Sequence, residues 1–302
     1  MARIRVTRPI REATNSKREE NSTMADLLIH SVSEFSDLIL TALGVTGARN
    51  IVEIGAEYGG MSALLAQHCR SRGGQLTTID PAPKHEFDSW LDANPDVRHL
   101  KKTSLEAFDD IDEADAFVVD GDHNWYTVYH ELQQIEAISR RAGKPVLAFL
   151  HDVGWPCGRR DCYYAPELIP AQFRHPHSFE AGAIPDHIAL VKGRGFRGMG
   201  QFAFANHCGG RRNGVMTAID DFLAEHLRGG RHFGFAEIPA IFGLGVLFDM
   251  DAAWSEPLAR LLLPYHQNRL LDSLEANRLL NYLRVIEMQD EAVAPLAEAR
   301  RA

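Results

Sequence analysis

The sequence has 302 residues, of which 45% are hydrophobic, so it is long enough for one large α/β domain with insertions or for two small domains. A formal net charge of −9 argues against a nucleic-acid-binding protein, which would usually carry a basic face. No apolar run approaches the ~18 residues of a membrane span, so we expect no membrane segment. The four cysteines form no disulfide or zinc framework, and we expect reduced thiols in a cytoplasmic protein.

The start of the chain divides into two parts. Residues 1–23 are basic and poor in apolar residues, and they lack the apolar stretch of a secretory signal. We expect them to form a disordered tail. Met24–Leu43 carries apolar residues at helical spacing and predicts a helix over one edge of a sheet.

The next stretch is the one around which the rest of the chain is organised. Ile51–Ile54 predicts a buried strand and Met61–Ala66 predicts a helix. Between them lie Gly55, Gly59 and Gly60. A turn from strand to helix brings backbone N–H groups close to a ligand, and glycine removes the Cβ that would block the approach. The stretch therefore predicts a cofactor-binding turn.

The following hundred residues alternate strands and helices. Four short apolar runs predict strands at Gln75–Ile79, Val97–Leu100, Ala116–Val119 and Val146–Leu150. Trp125–Ala142 has one apolar face and predicts a helix. This alternation predicts an α/β fold with a doubly wound, mostly parallel, Rossmann-like sheet. Active groups of such sheets lie at the carboxyl ends of strands, where this chain has Gly55, Asp80, Asp120 and Asp152.

The second half of the chain departs from the alternation. Residues 154–230 are rich in Gly, Pro, Arg and His, and so long a stretch predicts a lid or binding loop with a helix at Thr217–Leu227. Further elements are expected as follows: an antiparallel hairpin of Phe233–Ile241 and Leu244–Phe248, a short helix at Leu258–Leu263, and a long helix at Tyr265–Ala292. We expect a domain at 24–250, with 154–230 inserted, and a helical segment at 251–302 that packs on the core or forms a homo-oligomer seam.

Two acidic residues end neighbouring predicted strands. Asp120 and Asp152 are expected to face one cleft, where their carboxylates repel unless a positive group lies between them. Oxygen donors suit Mg²⁺ or another divalent cation. Without a cation, we expect the pKa of one carboxyl to rise. His123 and His151 lie at the same strand ends and are the candidate general bases.

These motifs resemble those of a known family. The pattern E-x-G-x-x-x-G at 53–59 is similar to the first motif of class I S-adenosylmethionine-dependent methyltransferases. The pattern D-G-D-H at 120–123, with H-D at 151–152, resembles cation-dependent O-methyltransferases of the caffeoyl-CoA and catechol type. It resembles bacterial sugar and natural-product methyltransferases more closely. The resemblance covers roughly Arg49–Trp155 and implies a class I methyltransferase fold, closed by the antiparallel hairpin.

The resemblance also implies a reaction and a set of site residues. The reaction is methyl transfer from S-adenosylmethionine to a hydroxyl of a small-molecule acceptor, with a sugar or glycosylated metabolite as our first expectation. The implied cofactor-binding residues are Glu53, Gly55, Ala56, Gly59, Gly60, Ser62, Asp80, Ser104 and Asp120. The implied base is His123 or His151, and the implied metal ligands are Asp120 and Asp152. Val153 stands where the family has an Asn ligand, so we expect modest metal affinity.

Three alternatives stay open at this stage. A nicotinamide-dependent oxidoreductase would need G-x-G-x-x-G, but Ala56 and Glu57 follow Gly55. An enzyme like the cephalosporin hydroxylases would carry the same carboxylates without transferring a methyl group. A non-catalytic protein of the same fold would bind the cofactor and catalyse no reaction. Four arginines of the inserted stretch are candidates to hold an anionic or sugar substrate: Arg159, Arg160, Arg211 and Arg212.

Overall fold

The computed structural model describes the backbone of residues 29–299 and the side chains of residues 29–292. The predicted tail at 1–23 and the start of the helix predicted at Met24–Leu43 lie outside this range. The described part of that helix is a 3₁₀ turn, Val32–Phe35, followed by helix α1, Ser36–Thr46. Among residues 29–299, no helix combines the length and apolarity needed to cross a bilayer.

A seven-stranded sheet forms the centre of the molecule. Its strands are β1 (Ile51–Ile54), β2 (Leu76–Ile79), β3 (Arg98–Leu100), β4 (Ala116–Val119), β5 (Leu147–His151), β11 (Phe233–Ile238) and β12 (Leu244–Asp249). Their order is β11-β12-β5-β4-β1-β2-β3. All neighbours among β1–β5 are parallel, whereas β12 runs antiparallel to both β5 and β11. The predicted fold class, including the C-terminal hairpin, is confirmed.

Helices cover both faces of the sheet. The remaining helices are α2 (Gly60–Ser71), α3 (His85–Asp92), α4 (Ser104–Ala107), α5 (Trp125–Ala142), α6 (Val215–Arg228), α7 (Ser255–Leu262) and α8 (Arg269–Ala299). Alternate strand residues enter two separate apolar cores. Val52 packs with α5 and α6 on one face, and Ile51 packs with α1, α2 and α7 on the other. Continuous apolar runs are therefore needed, because both faces are buried.

The chain between β5 and α6 contains five short strands in two small antiparallel sheets. They are β6 (Cys162–Tyr163), β7 (His177–Ser178), β8 (Ala181–Gly182), β9 (Val191–Lys192) and β10 (Ala203–Ala205). We call residues 159–214 the inserted segment. The helix predicted inside the insertion, now α6, packs on α5 as part of the layer that covers the sheet. The insertion thus ends before α6, and the role of the segment as a lid stays a prediction.

Candidate active site

The glycine turn lies where β1 ends. A Cβ at Gly55, whose φ is +86°, would lie 2.1 Å from the backbone oxygen of Asp120. A Cβ at Gly59 would lie 2.6 Å from the ring of Phe87. Glycine is needed at both positions because other parts of the protein come too close for a Cβ. The sequence predicted a different reason, which was the close approach of a ligand. Gly60 is different, because a Cβ there would meet only Ser33, at 3.6 Å.

Helix α2 begins at the turn without a cap. Gly59 occupies the N-cap position, no side chain within residues 29–292 bonds there, and the first turn contains no acidic residue. The first N–H groups of a helix have no acceptor within the helix itself. They attract anions, with the helix dipole adding to the effect. The start of α2 is thus suited to a carboxylate or phosphate of a ligand.

Asp80 ends β2 and fastens the turn. Its Oδ2 accepts hydrogen bonds from the N–H groups of Ala56 and Glu57, both at 3.0 Å, and its Oδ1 accepts from Ala82 N–H at 2.8 Å. A carboxylate has about four acceptor positions. Three are filled, so the predicted bonds to two ribose hydroxyls reduce to about one. Ribose binding by Asp80 stays a prediction.

Glu53 and Ser62 lie behind the turn and face each other. Glu53 points to the same side of β1 as Ile51, so it meets α2, where the Ser62 hydroxyl donates to its carboxylate at 2.5 Å. Burial raises the pKa of Glu53 to about 8, against the opposing effect of the Ser62 hydrogen bond. Both side chains are buried, and so is Ala56. Direct contact of these three residues with a cofactor is not evident from their positions and stays a prediction.

Ser104 occupies the first turn of α4, after β3. Thr103, which precedes it, is engaged in a capping box with Glu106. The buried Ser104 lies beside Glu131 of α5, whose carboxyl is fully buried and has no hydrogen bond of good geometry to a residue within 29–292. Burial raises the pKa of Glu131 to about 8. The sequence analysis missed Glu131, although its spacing from Val128 and Ile135 on the apolar face of α5 was a usable signal.

His151 lies between the two strand-end carboxylates. Its Nδ1 is 3.0 Å from Oδ1 of Asp120 and 3.3 Å from Oδ2 of Asp152, and its Nε2 is 2.9 Å from the backbone oxygen of Ile241. All three partners are acceptors, so both ring nitrogens carry protons and His151 is an imidazolium. Burial alone would lower the pKa of His151, but Asp120 and Asp152 raise it well above its usual value.

This arrangement corrects two expectations. The positive group between Asp120 and Asp152 is a side chain of the protein, so no external cation is required to balance them. The expected rise of one carboxyl pKa does not occur at Asp152: burial would raise its pKa, but His123 and His151 lower it. His151 is also unsuited to be the general base, because neither ring nitrogen has a free lone pair.

His123 is the better-placed histidine. Its Nε2 lies 3.3 Å from Oδ2 of Asp152, and its Nδ1 has no hydrogen bond to any residue within 29–292. Donor atoms of Asp120, His123 and Asp152 lie within 4.8 Å of one another. Two carboxylates and one imidazole fit a divalent ion, although the imidazole suits Mn²⁺ or Fe²⁺ better than Mg²⁺. Val153 is buried and apolar, as the sequence indicated, and adds no ligand.

An aromatic residue from the inserted segment stands beside this group. The ring of Tyr164 makes an edge contact with His123, with centroids 6.0 Å apart, and 53% of the residue is exposed. On its other side the ring contacts Phe202 at 5.9 Å. The position of Tyr164 could not be predicted from the sequence, because the neighbouring Tyr163 is fully buried and nothing in the local pattern distinguishes the two.

Three of the four candidate arginines have partners elsewhere. Arg159 pairs with Asp220, Arg160 is buried among backbone oxygens, and Arg212 lies over the rings of Trp125 and Phe173. Their predicted role as a clamp for an anionic substrate is therefore not supported by their positions.

Comparison with known proteins agrees with this geometry. Residues 52–153, from β1 to just beyond Asp152, match the family model described as "Methyltransferase domain". This part of the chain, about a third of the sequence, is similar to methyltransferase domains. No curated protein matches the sequence.

Several solved structures are similar to the chain. An O-methyltransferase from Bacillus cereus, solved with S-adenosylhomocysteine, is 16% identical with a TM-score of 0.45, covering 74% of this chain and 85% of its own. The O-methyltransferase TomG from Streptomyces achromogenes, solved with S-adenosylmethionine, is 17% identical with a TM-score of 0.42, covering 74% and 82%. A methyltransferase from Podospora anserina is 14% identical with a TM-score of 0.43, covering 74% and 80%.

Proposed function

We propose that the protein transfers a methyl group from S-adenosylmethionine to a hydroxyl of a small molecule. The observation that carries the proposal is the meeting of Asp120, His123 and Asp152 beside the glycine turn of the methyltransferase domain. The turn offers a place for the cofactor, and the three side chains offer a place for an acceptor hydroxyl. S-adenosylmethionine and its demethylated product are also the ligands bound in similar solved structures.

We assign the cofactor to groups that lie just after strands β1, β2 and β3. The uncapped start of α2, at Gly59 and Gly60, is suited to the cofactor's carboxylate. Asp80 has acceptor capacity left for a ribose hydroxyl. Ser104, in the first turn of α4 after β3, is our proposed contact to the adenine. These assignments agree with the order of strands β1, β2 and β3 in the sheet.

The acceptor side depends on His123 and Asp152. When bound, S-adenosylmethionine supplies the electrophilic methyl group, and a divalent cation would lower the pKa of the acceptor hydroxyl. His123 Nε2 lies 3.3 Å from Oδ2 of Asp152, so the carboxylate favours the proton on Nε2 and the lone pair on Nδ1. Nδ1 takes the hydroxyl proton as the oxygen attacks, and the carboxylate stabilises the imidazolium that forms. The imidazolium of His151 lies 3.0 Å from Oδ1 of Asp120 and orients this carboxylate.

A sugar or glycosylated metabolite remains our proposed acceptor. The exposed ring of Tyr164 beside His123 supports it, because an aromatic face packs against the apolar face of a ring-shaped ligand. Cytoplasmic location and homo-oligomer formation are further proposals that rest on the sequence alone.

Calorimetry with S-adenosylmethionine tests the cofactor assignment. We expect binding by the wild type, and weaker binding by Asp80→Ala by about 10-fold, since a bond to a charged acceptor contributes about 1–3 kcal/mol. Asp96→Ala is the matched control, because Asp96 is exposed and pairs only with Arg70 and lies away from the turn. Equal affinity of Asp80→Ala and wild type would contradict the assignment.

Transfer of a labelled methyl group to a panel of sugars and glycosides tests the reaction. We expect His123→Ala to abolish transfer while S-adenosylmethionine still binds. Excess EDTA separates the two versions of the mechanism. Loss of turnover supports a bound cation at Asp120 and Asp152, and full turnover leaves His123 as the sole activating group. Full activity of Asp152→Asn would refute both versions.

A further inference from the structure

The turn that joins β11 to β12 has an unusual backbone. Ile241 and Phe242 have φ values of +50° and +64°, in the left-handed region that non-glycine residues rarely adopt. A β-branched residue such as Ile241 is especially disfavoured there. Such a conformation persists only where surrounding contacts impose it, and it is concentrated near functional sites. The contacts of this turn are therefore informative.

On one side the turn contacts the candidate active site. The backbone oxygen of Ile241 accepts the hydrogen bond from His151 Nε2 at 2.9 Å. The backbone oxygen of Phe242 accepts from Gly154 N–H at 2.6 Å, two residues beyond Asp152. The turn thus bonds the chain on both sides of Asp152, whose own φ is +59°.

On the other side the turn is held by the C-terminal helix. The carboxylate of Glu275 in α8 accepts hydrogen bonds from Ile241 N–H at 3.0 Å and from Phe242 N–H at 2.9 Å. Burial would raise the pKa of Glu275, but the hydrogen bonds from Arg278 and the turn lower it, so the group stays ionised. A charged acceptor for two adjacent N–H groups fixes the orientation of this peptide unit.

Arg278 completes the arrangement. Its guanidinium forms two hydrogen bonds to Glu275, at 2.7 and 2.6 Å, and lies 4.7 Å from the ring centre of Phe242. It also donates to the backbone oxygen of Ile29 at 2.7 Å. The pair thus joins α8, the turn and the first described residues of the chain. Packing of α8 on the core does not by itself require a half-buried ion pair that bonds a turn.

We propose that Glu275 is a positioning residue for the strand-end site. Through the turn it fixes the backbone oxygen of Ile241, and this oxygen orients His151 between Asp120 and Asp152. Partners behind the groups that touch a ligand or metal commonly alter affinity by about 10–100-fold when removed. The inference rests on the proposed function only where metal binding is concerned, because the orientation of His151 is measurable without it.

The test compares Glu275→Gln with Glu287→Gln in the full chain. Glutamine has a single acceptor oxygen, so one turn N–H loses its partner while the size of the side chain is kept. Glu287 is the matched control because it lies on the same helix and pairs with Arg284 three residues away, without touching the turn. The measurements are the His151 Nε2–H signal in spectra of ¹⁵N-histidine-labelled protein, and the affinity for Mn²⁺ and for S-adenosylmethionine.

We expect the His151 Nε2–H signal to broaden or vanish in Glu275→Gln and to persist in Glu287→Gln. Mn²⁺ affinity should fall about 10-fold in the first variant only, with S-adenosylmethionine affinity unchanged within about 2-fold in both. An unchanged His151 signal in both Glu275→Gln and a folded Glu275→Ala would overturn the proposal. If the wild type binds neither Mn²⁺ nor S-adenosylmethionine, the proposed function fails, and the His151 signal alone decides the role of Glu275.

Discussion

The central sheet and the inserted segment are held together by different forces. The sheet strands are buried on both faces, and alternate residues enter two apolar cores. The inserted segment, residues 159–214, adds a few apolar residues such as Phe204 to one of these cores, and it also buries two adjacent charged residues, Arg160 and Asp161, which are 2% and 0% exposed. One chain thus relies on the burial of apolar surface in one region and adds hydrogen bonds to buried charged groups in the next.

Arg160 joins separate stretches of the inserted segment through hydrogen bonds to their backbone. Its guanidinium donates to the backbone oxygens of Ala205 at 2.6 Å and Ile188 at 2.8 Å. No carboxylate within residues 29–292 pairs with it, and burial lowers the pKa of Arg160. The short strands of the segment offer few backbone partners, so a rigid five-donor side chain supplies the missing bonds.

Asp161 connects the segment to the helical layer. Its Oδ1 accepts from the N–H groups of Trp125, at the start of α5, and Gly214, just before α6, at 2.7 and 2.6 Å. Its Oδ2 accepts from the Tyr163 hydroxyl at 2.7 Å. One carboxylate therefore holds the first N–H group of α5 and the backbone just before α6, and the attraction of the N-terminus of α5 for anions adds to the bonds.

Removing Asp161 is expected to have the largest effect. Asp161→Ala leaves several buried donors without partners, and we expect a loss of about 3–5 kcal/mol in the free energy of unfolding. Urea denaturation measures it. Asp220→Ala is the control, because it removes only the exposed pair with Arg159, with an expected loss under about 1 kcal/mol. Equal losses in the two variants would show that the segment does not depend on its buried charges.

A buried carboxyl that lacks good hydrogen bonds should change the folding stability with pH in the opposite direction from a well-bonded carboxylate. Glu131 has a pKa raised to about 8 in the folded protein by burial. Between its ordinary value and about 8 the folded state therefore binds more protons than the unfolded state, so stability is full at low pH and falls as pH rises. We expect this group to lower the free energy of unfolding by up to about 1.4 kcal/mol for each pH unit in that range.

Glu131→Gln should remove that part of the slope. Stability at pH near 8 should then exceed that of the wild type, since the amide is neutral at every pH. Denaturation midpoints across the pH range measure the effect, with Glu256→Gln as a control, because Glu256 is exposed and paired with Arg260. A Glu131→Gln protein with the wild-type slope would mean that the carboxyl is ionised without penalty.

Proteolysis is expected to give the smallest and most local effect. Within the inserted segment, trypsin should cut first after Lys192 and Arg194, which are exposed around the left-handed Gly193, whereas Arg160 should resist because it is buried. If the segment acts as a lid, cofactor together with an acceptor that is active in the transfer assay should slow these cuts. Rapid cleavage at Arg160 in the native protein would contradict the polar core, and rates unaffected by both ligands would contradict the lid.

The features that could be predicted from the sequence are those with local signals, and the features that could not be predicted depend on distant contacts. Strand β4 and helix α5 have the predicted bounds, Ala116–Val119 and Trp125–Ala142, because apolar runs and a 3.6-residue period are local signals. The strand-end groups were found for the same reason. The charge state of His151 could not be predicted, since it depends on the backbone oxygen of Ile241, 90 residues away. The role of Arg160 was missed because its partners are backbone atoms, which leave no pattern in the sequence.

The bonds of Asp80 have a consequence for the thermodynamics of cofactor binding. Because its carboxylate already holds the N–H groups of Ala56 and Glu57, the turn is closed before any ligand arrives. The conformational entropy of ordering the turn is therefore lost during folding and not during association. A ligand that docks on such a turn meets a rigid surface, and its affinity reflects contacts formed with little opposing cost from loop closure.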